Sequence, residues 1–137
     1  MKVIIIDGQG GRVGQMLVDK LKSTMPHQEL IAIGTNSIAT SAMLKAGADL
    51  GATGENPAIY NASQADIIVG PLGIVVANSL LGEVTPNMAK ALGESKAHKI
   101  LIPINRCNNT VVGLKELTFT DYIHLAVLEV KKLIQDE

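Results

Sequence analysis

Short apolar runs alternate with segments of helical periodicity along the whole chain. The apolar runs are rich in β-branched residues and are predicted to be strands at Val3–Asp7, Leu30–Gly34, Asp66–Gly70 and Lys99–Ile104. Between these runs, apolar residues recur every three or four positions, as they do on one face of a helix. The predicted helices are Arg12–Thr24, Ser37–Ala46, Pro71–Gly82, Thr85–Gly93 and a final helix that begins at a capping box of Thr118 and Asp121.

This alternation predicts one α/β domain that covers residues 1–137. Continuous apolar strands are typical of a parallel sheet with helices on both faces. We therefore expect a Rossmann-like three-layer sandwich with a mainly parallel sheet of about five strands. Residues 48–65 are the least regular part of the pattern. Further short strands are predicted at Ala58–Tyr60 and Thr110–Leu114.

Glycines are concentrated in the turn between the first predicted strand and the first predicted helix. The turn follows a G-x-x-G-x-x-G pattern with an additional glycine at position 10, and it consists of Gly8, Gln9, Gly10, Gly11, Arg12, Val13 and Gly14. Glycine permits close approach of a phosphate, and a helix N-terminus presents free N–H groups and partial positive charge to it. The turn therefore predicts a phosphate site, with Arg12 as a mobile cation at its mouth. The alternative is a tightly packed turn without a ligand.

Asp7 directly precedes this turn. Its carboxylate can serve as an acid in the site, or it can anchor the turn by accepting hydrogen bonds from the N–H groups. We favour the second role.

The second predicted strand is followed by Thr35, Asn36 and Ser37. NAD-specific sites usually place an Asp or Glu here to bind the ribose 2′-hydroxyl, and this segment contains neither. Its neutral hydroxyl and amide groups favour NADP over NAD as the cofactor. The alternative is that Asn36 or Ser37 caps the following helix.

Ligands of open α/β sheets bind beyond the carboxyl ends of the strands. Besides the glycine turn, the predicted ends bring Gly70 and Pro71 to this edge as further cofactor-binding residues, and they place Asn105, Arg106, Cys107 and Asn108 there as a substrate-binding segment. Arg106 offers a planar cation for a phosphate or carboxylate. Cys107 is either a nucleophile with a lowered pKa or a packed thiol, and we favour the packed thiol.

Composition excludes several classes of function. Lys and Arg number 12 against 13 Asp and Glu, so no basic surface favours a nucleic acid partner. Aromatic residues make up 2% of the chain, too few for a platform that stacks bases. The single cysteine forms no intrachain disulfide, and the scattered histidines have no spacing typical of metal ligands, so we expect no metal.

The longest apolar stretch, Ile67–Ala77, is well short of the roughly 20 residues that a membrane-spanning helix needs. We therefore expect a soluble cytoplasmic protein without a membrane partner. The segment Ile74–Leu81, predicted to be helical, is apolar nearly all round, which favours a homo-oligomer.

Several segments of the chain resemble a family of small uncharacterised bacterial proteins, a domain-of-unknown-function family. The resembling segments are IDGQGGRVG, GTNSIATSAMLKAGADLGATGEN, GPLGIVVANSLLGEVTP and ILIPINRCNNTVVG. This resemblance implies no activity. A shorter segment, GQGGRVG, is similar to the N-terminal fingerprint of dihydrodipicolinate reductase and other nicotinamide-dependent Rossmann proteins. That similarity implies cofactor binding rather than a complete dehydrogenase, because the chain has no separate substrate domain.

Three functions follow from these observations. The leading hypothesis is a small module that binds the phosphate of a nucleotide or dinucleotide at Gly8–Gly14. The second is an enzyme that acts on an anionic metabolite through the Asn105–Asn109 loop, with Cys107 or Asp7 reacting. The third is a scaffold or interaction protein in which the glycine turn is purely structural.

Overall fold

Five strands form one parallel sheet in this computed structural model, which describes residues 1–104 and 108–136. Along the chain they are β1 (Val3–Asp7), β2 (Leu30–Gly34), β3 (Leu50–Thr53), β4 (Ile67–Pro71) and β5 (His98–Ile102). Their order in the sheet is β3-β2-β1-β4-β5. The chain thus proceeds from β1 outward to β3 and returns to β4 on the other side of β1. The strand order therefore reverses between β1 and β4.

Helices cover both faces of this sheet. They are α1 (Arg12–Thr24), α2 (Ser37–Lys45), α3 (Glu55–Ala62), α4 (Pro86–Glu94) and α5 (Phe119–Gln135). The first, second and fifth helices pack on one face, and the third and fourth pack on the other. This arrangement confirms the predicted Rossmann-like three-layer sandwich.

The central strand shows why the apolar runs are continuous. Every residue of β1 is buried. Val3 and Ile5 belong to the core under α1 and α5, whereas Ile4 and Ile6 belong to the core under α3 and α4. Because successive side chains of a strand point to opposite faces, a strand covered on both sides needs apolar residues at every position.

Two predicted strands are wrong, and one strand was not predicted. Ala58–Tyr60 lies within α3, which buries Ala58 and Ala62, four positions apart on one helical face. Thr110–Leu114 forms a turn rather than a strand. The sequence analysis also missed β3, because an exposed four-residue edge strand carries little apolar pattern.

The predicted helix Pro71–Gly82 is also absent. A short 3₁₀ turn at Leu72–Val75 is followed by consecutive turns. Three residues of this segment and its last glycine have left-handed backbone angles, which no α-helix tolerates: Asn78, Leu80, Leu81 and Gly82. An apolar helix at Ile74–Leu81 therefore no longer supports a homo-oligomer. Oligomerisation stays a prediction. In the described ranges, no helix has both the length and the apolar character needed to cross a membrane.

Candidate functional site

The glycine turn is tightly hydrogen-bonded and closely packed. Gly11 caps α1 with a left-handed backbone (φ 74°), and its N–H donates to the carbonyl oxygen of Gly8 at 2.9 Å. A Cβ on Gly11 would lie 2.8 Å from the Cα of Ala39 in α2. Glycine is therefore required at position 11 by its backbone conformation and by the neighbouring helix, whether or not a ligand binds.

The carboxylate of Asp7 lies against the amino end of α1. Its Oδ1 accepts a hydrogen bond from the N–H of Gly8 at 2.8 Å, and its Oδ2 accepts one from the N–H of Gly14 at 2.7 Å. The side chain is 4% exposed. Burial raises the pKa of Asp7, although hydrogen bonds from Gly14, Gly8 and Val13 act in the opposite direction. Asp7 thus anchors the turn, as we favoured from the sequence.

These internal bonds restrict which N–H groups can bind an anion. The sequence analysis proposed the helix N-terminus as the phosphate site, but the N–H groups of Gly11 and Gly14 already have partners. Those of Gly10 and Arg12 have none within residues 1–104 and 108–136. A Cβ on Gly10 would meet no atom within 4 Å. The accessible donors of the turn therefore lie at its outer end.

Arg12 lies beside these donors but not in the way predicted. Its guanidinium stacks on the ring of Phe119 at the start of α5, with 4.1 Å between the guanidinium carbon and the ring centroid. A cation held over an aromatic face is stabilised by the quadrupole of the ring. Arg12 is thus a positioned cation at the glycine turn rather than a mobile one.

A small cavity opens where the strand order reverses. Its volume is about 80 Å³, and its lining consists of Asp7 to Val13 of the glycine turn together with Pro71 and Leu80. Ligand pockets for whole cofactors usually measure about 300–1,000 Å³. The cavity therefore has room for a phosphate-sized group, and the rest of a nucleotide would have to lie outside it.

A loop after β4 covers this edge of the sheet. We call residues 76–84 the strap. Leu80 of the strap is buried and lines the cavity next to Gly8. The hydroxyl of Ser79 donates to the carbonyl oxygen of Gly73, and the N–H of Asn78 donates to that of Val84 at 2.7 Å. The strap is therefore a folded segment with its own hydrogen bonds.

Glu83 fastens the strap across the ends of β1 and β2. One carboxylate oxygen, Oε1, accepts hydrogen bonds from the N–H of Gln9 at 2.9 Å, the hydroxyl of Thr35 at 2.7 Å and the side-chain amide of Asn36 at 2.7 Å. Desolvation acts to raise the pKa of Glu83, but the three hydrogen bonds together outweigh it and lower the pKa. Glu83 is therefore held as a carboxylate at the end of β2.

This contact corrects the argument for NADP. The segment of Thr35, Asn36 and Ser37 after the second strand contains no acid itself. The structure brings the carboxylate of Glu83 to Thr35 and Asn36 from a residue 47 positions after Asn36. The end of the second strand therefore does carry an acidic group, and the absence of an acid there no longer favours NADP over NAD.

The residues after β2 have several separate roles. Asn36 caps α2, because its side chain accepts a hydrogen bond from the N–H of Ala39 at 2.9 Å. This cap confirms the structural alternative for Asn36, which also donates to Glu83. Ser37 begins α2 and does not line the 80 Å³ cavity. It lines a separate open groove of about 670 Å³ with Gln15, Ile38, Ser41, Ala42 and Lys45.

The segments at the ends of β4 and β5 contribute unequally to the lining of the cavity. Pro71 lines the cavity. Gly70 instead lies inside the sheet, and only glycine fits there because a Cβ would collide with the carbonyl oxygen of Ile6. Asn108 is exposed in a turn and is not among the residues that line the cavity. The predicted roles of Asn105, Arg106 and Cys107 concern residues outside those that the structure describes.

Glu83 and Leu80 were missing from the predicted site. The local pattern concealed them, since Asn78, Ser79 and Gly82 are three and four positions apart and therefore fit one face of a helix. Elsewhere, no three His, Cys, Asp or Glu side chains of the described ranges lie close enough to hold a metal ion.

The fold and this site define a small Rossmann-like α/β domain with a glycine turn at its topological switch point. The chain belongs to the family described as Domain of unknown function (DUF3842), whose model matches residues 2–135. The predicted membership in a family of that kind is thereby confirmed. The family match by itself does not show a nicotinamide fingerprint.

Beyond this family, the chain shows little similarity to curated proteins or solved structures. No curated protein is similar to this chain in sequence. A dodecameric FMN-dependent Ubix-like decarboxylase from Escherichia coli O157:H7 is similar in structure, with 15% identity and a TM-score of 0.48. The match covers 98% of this chain and 95% of that one.

Proposed function

We propose that this domain binds the phosphate group of a nucleotide at the outer end of its glycine turn. The observation that carries the proposal concerns Gly10 and Arg12, which line a cavity of about 80 Å³ at the switch point of the sheet and whose N–H groups have no partner in the described ranges. In open α/β sheets, this crevice is where ligands bind. Backbone N–H groups at the start of a helix attract anions because their partial charges are positive.

The charges of Asp7 and Arg12 favour the same location. Asp7 occupies the N–H of Gly14, so a second anion is repelled from the deeper part of the helix N-terminus. The guanidinium of Arg12, stacked on Phe119, lies at the outer side. A phosphate bound between Gly10 and Arg12 thus gains two N–H donors and a cation, while it stays farther from the Asp7 carboxylate.

The size of the cavity limits what it encloses. With about 80 Å³, it accommodates a phosphate-sized group but no base or ribose. The nucleoside part must therefore lie along the surface, next to the strap and the residues that follow β2.

Gly10 offers a clean test. Its backbone is outside the left-handed region and a Cβ would enter open space, so Gly10→Val fills the phosphate approach without disturbing the turn. The wild-type protein is heated with inorganic phosphate, ADP, FMN and NAD as separate probes. A probe present at 100 times its Kd is expected to add about 2.7 kcal/mol of stability.

The matched control is Gly93→Val, because Gly93 in α4 also has open space at its Cβ and lies away from the cavity. We expect Gly10→Val to abolish the stabilisation by the probe and Gly93→Val to preserve it. The proposal is overturned if no probe stabilises the wild type, which favours a scaffold role. It is also overturned if Gly10→Val binds as well as the wild type does.

A further inference from the structure

The carboxylate of Glu83 has one saturated oxygen and one oxygen that remains available. Its Oε1 accepts three hydrogen bonds, from Gln9, Thr35 and Asn36. Its Oε2 has no hydrogen bond within the described part of the chain. Glu83 is partly exposed. An available carboxylate oxygen accepts hydrogen bonds from hydroxyl groups and repels anions.

The location of this carboxylate matches a defined part of a bound nucleotide. Its partners Thr35 and Asn36 directly follow β2, and Gln9 belongs to the glycine turn after β1. These two strands are neighbours in the sheet, so their ends are about 5 Å apart. When a dinucleotide has its phosphates at the first turn of such a sheet, its ribose lies near the end of the second strand.

Glu83 differs in origin from the acid that usually occupies this place. That acid follows the second strand in the sequence, about 20 residues after the glycine turn. Here the segment after β2 supplies hydrogen-bond donors, and the strap supplies the acid. The three donors fix the carboxylate in one position, so it faces a bound ribose as a formed acceptor rather than as a free surface side chain.

We infer that Glu83 is a specificity-determining residue that selects nucleotides with an unmodified ribose and rejects those with a 2′-phosphate. This inference rests on the proposed binding of a nucleotide phosphate at the glycine turn. A ribose with free hydroxyls donates to Oε2. A 2′-phosphate brings negative charge against the carboxylate and finds the donors of Gln9, Thr35 and Asn36 already in use.

The test uses NAD and NADP, which differ only in the 2′-phosphate. Their affinities are measured by calorimetry for the wild type and for Glu83→Gln, which removes the charge but keeps an amide oxygen for the three donors. We expect the wild type to bind NAD at least about tenfold more tightly than NADP, because juxtaposed like charges are strongly unfavourable. We expect Glu83→Gln to reduce this ratio by about tenfold.

Two control variants separate charge from disruption. Glu94→Gln makes the same change of charge at the end of α4, at a residue that does not line the cavity, and should leave the ratio unchanged. Ser79→Ala removes one hydrogen bond of the strap but keeps the Glu83 carboxylate and its three donors, so the preference for NAD should persist. Circular dichroism and thermal unfolding verify that each variant is folded.

The outcomes distinguish the two proposals. If the wild type binds neither NAD nor NADP and responds to no other nucleotide, the proposed function fails and the role of Glu83 fails with it. If the wild type binds NADP as tightly as NAD, or if Glu83→Gln leaves the ratio unchanged, nucleotide binding stands and the inference about Glu83 is overturned. A collapse of the ratio in Ser79→Ala also overturns it, because loss of strap structure then explains the effect.

Discussion

The glycine turn and the strap each carry one carboxylate that accepts hydrogen bonds, and the two carboxylates differ in nearly every other respect. Asp7 is buried and uses both oxygens, one for each of two N–H groups. Glu83 is partly exposed and uses one oxygen for three donors. Burial raises the pKa of Asp7 despite its hydrogen bonds, whereas the hydrogen bonds of Glu83 outweigh its desolvation and lower its pKa.

This difference separates a part of the fold from a part of the surface. Asp7 connects β1 to α1, so its loss affects the central strand and the first helix together. Glu83 connects the strap to groups that reach solvent, and water can replace it as their partner. The comparison therefore predicts large effects of substitutions in the glycine turn and smaller effects in the strap.

The largest effect is expected at Gly11. Gly11→Val places a β-branched residue at a φ of 74° and a Cβ 2.8 Å from the backbone of Ala39. Left-handed strain and overpacking together should lower the free energy of unfolding by about 3 kcal/mol or more. Urea unfolding measures this loss.

The matched change in the strap is Leu81→Gly, since Leu81 has a φ of 58° and is 97% exposed. It relieves left-handed strain and removes no packing, so it should not destabilise the protein. A stable Gly11→Val protein, or a strongly destabilised Leu81→Gly protein, would contradict the contrast between the two regions.

An intermediate effect is expected for Asp7→Asn. An amide has one acceptor oxygen, so either Gly8 or Gly14 loses its partner in a buried environment. An unsatisfied buried donor costs about 1–3 kcal/mol. Chemical denaturation should show this loss at neutral pH, and amide hydrogen exchange should become faster at Gly8 or Gly14. Unchanged exchange at both Gly8 and Gly14 would show that Asp7 does not anchor the turn.

The smallest effect is expected for Glu83, and it should depend on pH. At neutral pH, Glu83→Gln replaces charged hydrogen bonds by neutral ones and should lower the free energy of unfolding by about 1 kcal/mol. Because the folded-state pKa is lowered, the stabilisation is complete above the ordinary glutamate pKa of about 4.3 and is lost as pH falls through the folded-state value.

The measurement is the difference in unfolding free energy between wild type and Glu83→Gln along a pH series, in which Asp7 is common to both proteins. We expect the difference to shrink as the solution becomes acidic. A difference that grows toward low pH would mean that the pKa of Glu83 is raised in the folded protein.

Local pattern was sufficient for most of the fold. The ranges Val3–Asp7, Arg12–Thr24 and Leu30–Gly34 agree with the structure at both ends, and the capping box of Thr118 and Asp121 is present at α5. These elements have strong signals, because buried parallel strands are apolar throughout and caps depend on residues three positions apart. The exposed strand β3 lacked such a signal and was missed.

The glycine turn and the role of Asp7 were likewise determined by the sequence, since they depend on neighbouring residues between a strand and a helix. The strap was not, because its backbone angles depend on contacts with distant residues. A carboxylate 47 residues beyond Asn36 came to the end of β2 only because the strand order reverses between β1 and β4. Tertiary structure alone therefore decided which acid lies at the end of β2, since that contact joins segments that no local pattern relates.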